Sequence, residues 1–123
     1  MTSRRETILP IGVNRNDINN ASKELIINTI LEFHGVGFEG ISLYSRKREI
    51  VDVRHIINYF LTVKEDLTFF VIADIFKKDH TTVMHSRKQV ESWIATDKYF
   101  NEKIINIANL IILKNYEERR SNR

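Results

Sequence analysis

The segment from Lys77 to Lys88 constrains this chain more than any other. Two lysines run into Asp79, His80, Thr81 and Thr82, and an apolar helical period begins directly behind them at Val83, Val90 and Ile94. Aspartate is a strong helix N-cap, so the spacing predicts a helix that starts near His80 with Asp79 as its cap and ends near Ala95. Upstream, Asp66 and Thr68 can cap a short helix over Phe69 to Phe76, joined to the longer one through Lys77 and Lys78. A short helix, a tight connection and a longer helix over 68–95 form a candidate helix-turn-helix.

The rest of the chain supplies helices to pack against that pair. A first helix is expected from Asp17 or Ser22, with Leu25, Ile26, Ile30 and Phe33 as its buried stripe, ended by Gly35, Gly37 and Gly40 before a loop at Ile41-Ser42-Leu43. A second is expected from about Arg46 to Val63, with Ile50, Val53, Ile57, Phe60 and Leu61 on one face. A last one, capped by Thr96 or Asp97, is expected over about 98–117 through Phe100, Ile104, Ile107, Ile111 and Ile112. No useful strand-like alternation, internal repeat or low-complexity stretch appears. The expected class is all-α, a bundle of about five helices. Its expected organisation is an irregular arm over 1–16 broken by Pro10 and Gly12, one domain over 17–118, and a basic tail over 119–123.

Bulk composition narrows the function classes. With 42% apolar residues and one proline in 123 residues, the chain is expected to fold as one domain. The absence of cysteine excludes disulfides and thiolate chemistry and fits a reducing cytosol. No apolar run is long enough for a secretory signal or a bilayer span, so no membrane partner is expected and the expected location is cytoplasmic. His34, His55, His80 and His85 match no zinc spacing, so no metal is expected. No nucleophile or triad order suggests catalysis, and no cofactor is expected. Trp93, Tyr99 and Phe100 are expected to pack between helices. Isoleucines around much of the last helix make burial its default, with a homodimer seam as the alternative.

The net charge of +3 permits nucleic acid as a partner, and Lys77 to Lys88 alone carries that much: Lys77, Lys78, Arg87 and Lys88 against Asp79. A helix entering the major groove N-terminus first presents free amides and a positive dipole end to phosphate. Asp79 can accept from a cytosine amino group, His80 and Thr81 can reach base edges, and threonine methyls can meet thymine methyls. The cations would neutralise phosphates. The same residues also read as an ordinary cap, first-turn threonines and solvated lysines.

Resemblance separates the two. Asp79-His80-Thr81-Thr82-Val83-Met84-His85, with Arg87 and Lys88 behind it, resembles the signature F-G-G-R-D-H-T-T-V-x-H-A-x-R-K-I of the C-terminal DNA-binding domain of the bacterial replication initiator DnaA. The run Ser45-Arg46-Lys47-Arg48-Glu49-Ile50-Val51 is similar to that family's S-R-K-R-E-I-V, and Val53-Arg54-His55-Ile56 stands at its A-R-Q-I. The resemblance covers about residues 23–115. It implies a helix-turn-helix bound to duplex DNA, with Asp79, His80, Thr81 and Thr82 on bases in the major groove. It implies Arg46 in the adjacent minor groove and Arg54 on the backbone, with His55 in place of glutamine. The candidate DNA-binding set is therefore Arg46, Lys47, Arg54, His55, Lys77, Lys78, Asp79, His80, Thr81, Thr82, Ser86, Arg87 and Lys88. The departures are specific. The glycine pair before the tetrad is replaced by lysines in a connection one residue shorter, Phe70 replaces a common proline, and Ala73 a common glycine. No G-x-x-x-x-G-K-[ST] loop is present, so no nucleotide is expected to bind. The expected function is sequence-specific duplex binding at DnaA-box-like sites, regulating replication or transcription on the nucleoid without ATPase activity. A protein-interaction adaptor on the same fold is the alternative.

Overall fold

The computed structural model describes residues 5–41 and 46–121, and among them it contains six α-helices and no strand. Met1 to Arg4, Ser42 to Ser45 and the last two residues lie outside the described set, and with them the Ser42-Leu43 part of the expected loop, the Ser45 that precedes Arg46 and the end of the basic tail. The helices are α1 (Arg15–Asn19), α2 (Lys23–His34), α3 (Arg48–Leu61), α4 (Phe69–Ile75), α5 (His80–Thr96) and α6 (Lys98–Ser121), with a 3-10 turn at Glu39–Ile41.

The first helix expected from sequence is two. Asn14 caps α1, its side-chain oxygen accepting from the Asn16 amide at 2.9 Å, and Ser22 Oγ caps α2 by accepting from the Leu25 amide at 3.1 Å. Two caps eight residues apart force a break, and Lys64 seals it: its buried ammonium donates to the Asn19 and Ala21 carbonyls at 2.8 and 2.6 Å. Thr68, Asp79 and Asp97 cap α4, α5 and α6 where the sequence places them. The last helix runs on to Ser121, so Arg119 and Arg120 form its final turn.

The core follows the periods read from sequence. Ile26, Ile30, Ile56, Ile57, Phe60, Ile72, Val83, Val90, Ile104, Ile107 and Ile111 are fully buried. Through them α3 packs on α2 and α5, α6 packs on α2 and α5, and α4 lies against α5. Two expectations change. Phe33, in the last turn of α2 before the left-handed Gly35, is exposed. Tyr99 lies on the open side of the α6 first turn and is largely exposed, while Trp93 and Phe100 do pack, edge to face at 4.8 Å.

The N-terminal arm is tied down from Arg5 onward. The Glu91 carboxylate, almost buried on α5, accepts from both Arg5 guanidinium nitrogens at 3.0 and 2.5 Å and from the Ile8 amide at 2.7 Å. Thr7 Oγ1 meets Thr62 Oγ1 at 2.8 Å, and the Tyr59 hydroxyl donates to the Ile8 carbonyl at 2.6 Å. Burial alone would push the Glu91 carboxyl up. The Arg5 bonds, the Ile8 amide and the Arg87 charge outweigh it and hold the carboxyl below its ordinary range. Among the described residues no helix is long and apolar enough to cross a membrane.

Candidate nucleic-acid interface

The turn between α4 and α5 fixes how the longer helix presents its head. The Lys78 amide donates to the Ala73 carbonyl at 3.0 Å and the Lys77 amide to the Asp74 carbonyl at 3.2 Å. This six-to-one and five-to-two pair is a Schellman motif, and it places Lys77 in the left-handed region at φ 54°. The same motif closes α2, where Gly35 holds the left-handed position at φ 66°. The turn that the related signature builds with glycines is thus made here with a lysine, which projects its ammonium to solvent beside Asp74 at 3.3 Å.

From that turn Asp79 caps α5. Its Oδ1 accepts from the Thr81 and Thr82 amides at 3.0 and 3.3 Å and from the Thr81 hydroxyl. These bonds, the hydroxyl's first, hold the carboxyl below its ordinary value, so Asp79 is a carboxylate at neutral pH. His80, the first residue of α5, stacks on Phe70 of α4 with ring centroids 4.5 Å apart and a 34° tilt. Sequence reading noted Phe70 only as a departure from proline. The signal available was an aromatic residue in the first turn of the leading helix, where the domain's own core does not reach it.

Around this head the expected residues divide. Lys77, Lys78, Asp79, Thr81 and Lys88 are exposed, and His80 and Thr82 are half-buried. Arg46 and the α3 cap residue Lys47 are exposed at the start of α3. Arg54 and His55 are half-buried on α3 and, with Lys78 and Thr82, line a cavity of about 160 Å³ between α3 and the head of α5. Burial lowers the Arg54 guanidinium from its ordinary value. The structure therefore brings Arg54 and His55 of α3 together with Lys78 and Thr82 at the head of α5.

Ser86 lines the same cavity from its buried side, and Arg87 does not line it. Ser86 is fully buried and Arg87 is 5% exposed. Ser86 Oγ accepts from Asn58 Nδ2 at 3.1 Å and meets His55 Nδ1 at 2.8 Å, which fastens α5 to α3. Arg87 donates to the Arg5 carbonyl at 3.3 Å and lies over the Phe69 ring at 5.3 Å. The reason is the helical period: Val83, Ser86, Arg87 and Val90 stand at i, i+3, i+4 and i+7, one stripe, and that stripe faces the core. Burial first, and the neighbouring His85 next, hold the His55 imidazole below its ordinary value, with Asp52 opposing.

Comparison with known proteins covers the same region. The model of the bacterial DnaA protein helix-turn-helix matches residues 23–90. A chromosomal replication initiator protein DnaA of Bacteroides fragilis is 33% identical over 91 residues, 73% of this chain and 19% of that protein. One of Bacteroides thetaiotaomicron is 30% identical over 101 residues, 81% of this chain and 22% of that protein. DnaA 1 of Chlamydia pneumoniae is 34% identical over 74 residues, 60% of this chain and 16% of that protein. The chain thus spans about a fifth of the length of these curated relatives. Homology with that helix-turn-helix supports DNA binding by residues 23–90.

Proposed function

The chain belongs to the bacterial DnaA helix-turn-helix family, and from that premise we propose that it binds duplex DNA sequence-specifically, at DnaA-box-like sites. In this reading the head of α5 enters the major groove and Asp79, His80, Thr81 and Thr82 face base edges. Lys77, Lys78 and Lys88 meet phosphates on either side, and Arg54 and His55 approach the backbone across the cavity beside α3. Arg46, with Lys47 next to it, reaches the neighbouring minor groove, whose negative potential favours an inserted guanidinium. Ser86 and Arg87 serve by holding α5 against α3, α4 and the arm.

The observation that carries the reading is the capped, polar head of α5, with Lys77 and Lys78 exposed before it and a cavity beside it that Arg54 and His55 of α3 line together with Lys78 and Thr82. Binding there would occupy or mark such sites and so regulate replication or transcription on the bacterial nucleoid, a role that calls for no ATP hydrolysis. The DNA-binding unit is residues 17–118. A homodimer through α6 is favoured by one observation, the exposure of Leu113 and Tyr116 three residues apart on its last turns.

The test is fluorescence anisotropy with a DnaA-box duplex and a scrambled duplex, each at two salt concentrations. Specific binding predicts a preference on the order of a thousandfold, lost in His80→Ala with Thr81→Ala. Equal binding to both duplexes, followed by no enrichment in a random-sequence selection, refutes sequence reading. No binding to either leaves the adaptor reading standing.

A further inference from the structure

The head of α5 is pre-set residue by residue. Asp79 and Thr81 are locked to each other and to the helix amides. His80 has no hydrogen bond of that kind to fix it. As the first residue of α5 and half-buried, it would sample several rotamers if nothing touched its ring, and a hydrogen bond to one base edge needs one of them. The surface that meets the ring is Phe70, at a centroid distance and tilt that suit offset stacking.

Phe70 has little other work inside the domain. It is 69% exposed, while its neighbours on α4, Ile72 and Ala73, carry that helix's packing and are buried. A large apolar side chain left in solvent, against a head residue whose ring no hydrogen bond fixes among the described residues, is placed to hold that residue. We propose that Phe70 is a positioning residue: it fixes the His80 imidazole by stacking, and base preference at the pair His80 faces depends on it. The inference rests on the proposed reading of α5.

The experiment is a double-mutant cycle on binding preference. The full chain first selects its best duplex from a random-sequence pool. Affinity for that duplex and for a scrambled one is then measured for Phe70→Ala, Phe70→Tyr, His80→Ala and Phe70→Ala with His80→Ala. Phe70→Ala is expected to fold, because the side chain is mostly in solvent. It should lower preference by about threefold to tenfold, the range of one aromatic contact. The affinity for the scrambled duplex and the salt dependence should not move. Phe70→Tyr keeps the ring face and should keep the preference. In the His80→Ala background, Phe70→Ala should change nothing further.

Two results overturn the inference while leaving the α5 reading intact: His80→Ala lowers preference and Phe70→Ala does not, or Phe70→Ala costs as much without His80 as with it. If His80→Ala itself leaves the preference unchanged, the α5 reading fails and the inference fails with it.

Discussion

Replacing Lys77 should separate what its backbone does for stability from what its ammonium does for DNA affinity. A left-handed backbone costs an L-residue about 1–2 kcal/mol, and Lys77 adopts it at φ 54°. Glycine removes that strain but returns about 0.4–1 kcal/mol of conformational entropy to the unfolded chain. The fair comparison is Lys77→Gly against Lys77→Ala. Both lose the ammonium and its exposed contact with Asp74 at 3.3 Å, while alanine keeps the strain. The glycine variant should then be more stable than the alanine variant by about 0.5–1 kcal/mol, roughly 2–4 °C in melting temperature. Urea unfolding followed by circular dichroism measures it.

Both variants should lose the same amount of DNA affinity. If Lys77 neutralises one phosphate, the slope of log affinity against log salt should become shallower by about 0.9 in each. Alanine equal to or more stable than glycine would mean that the turn is not the left-handed Schellman turn described. A loss of binding in the glycine variant alone would mean that turn rigidity, and not the ammonium, is what DNA binding uses.

The buried and exposed halves of the basic pair on α5 should separate cleanly. Arg87→Ala should cost about 3 kcal/mol in urea unfolding, because it removes a buried charge beside Glu91, whereas Lys88→Ala should stay within about 0.5 kcal/mol and make the salt slope shallower in anisotropy. Ser86→Ala should cost about 1–3 kcal/mol, since Asn58 and His55 lose a shared partner in the interior; a change below that range in the urea midpoint would show the hydroxyl to be dispensable. Burial holds both His34 and His55 below the ordinary 6.5, with Lys103 adding to the effect at His34 and the Ile30 carbonyl opposing it. The unfolded state therefore takes up protons first, so this stability is complete above pH 6.5 and is lost as pH falls toward the folded values. Urea midpoints at pH 7.5 and about 5.5 should differ less in His34→Gln with His55→Gln than in the parent chain.

What the sequence disclosed of the fold is local chemistry. Thr68, Asp79 and Asp97 are caps by residue type and position, and the isoleucine and valine periods mark the faces of α3, α5 and α6. The arm escaped because nothing local marks it. Its structure consists of contacts such as Arg5 with Glu91, 86 positions away, and no period or cap encodes a partner at that range. The turn at Lys77 escaped for a related reason, since a left-handed lysine carries no signal of the kind glycine gives.

The candidate site shows how a motif and a period can disagree, and which should be followed. The signature presents Asp79 to Lys88 as one block, and a match along the block puts Ser86, Arg87 and Lys88 in the candidate DNA-binding set together with the tetrad. A helix cannot present ten consecutive residues to one partner, because successive side chains turn by about 100°. Val83 is apolar and must face the core, and that fixes Ser86, Arg87 and Val90 on the same side whatever their polarity. Lys88 then falls outside the stripe, and the residues before Val83 lie at the free end, where the helix has no turn behind it to bury them. The division between residues docked on the core and residues left at the free head was present in the spacing itself. By the same logic, the residue the motif misses, Phe70, belongs to a different helix: it reaches the head of α5 because a short turn brings the start of α4 alongside it.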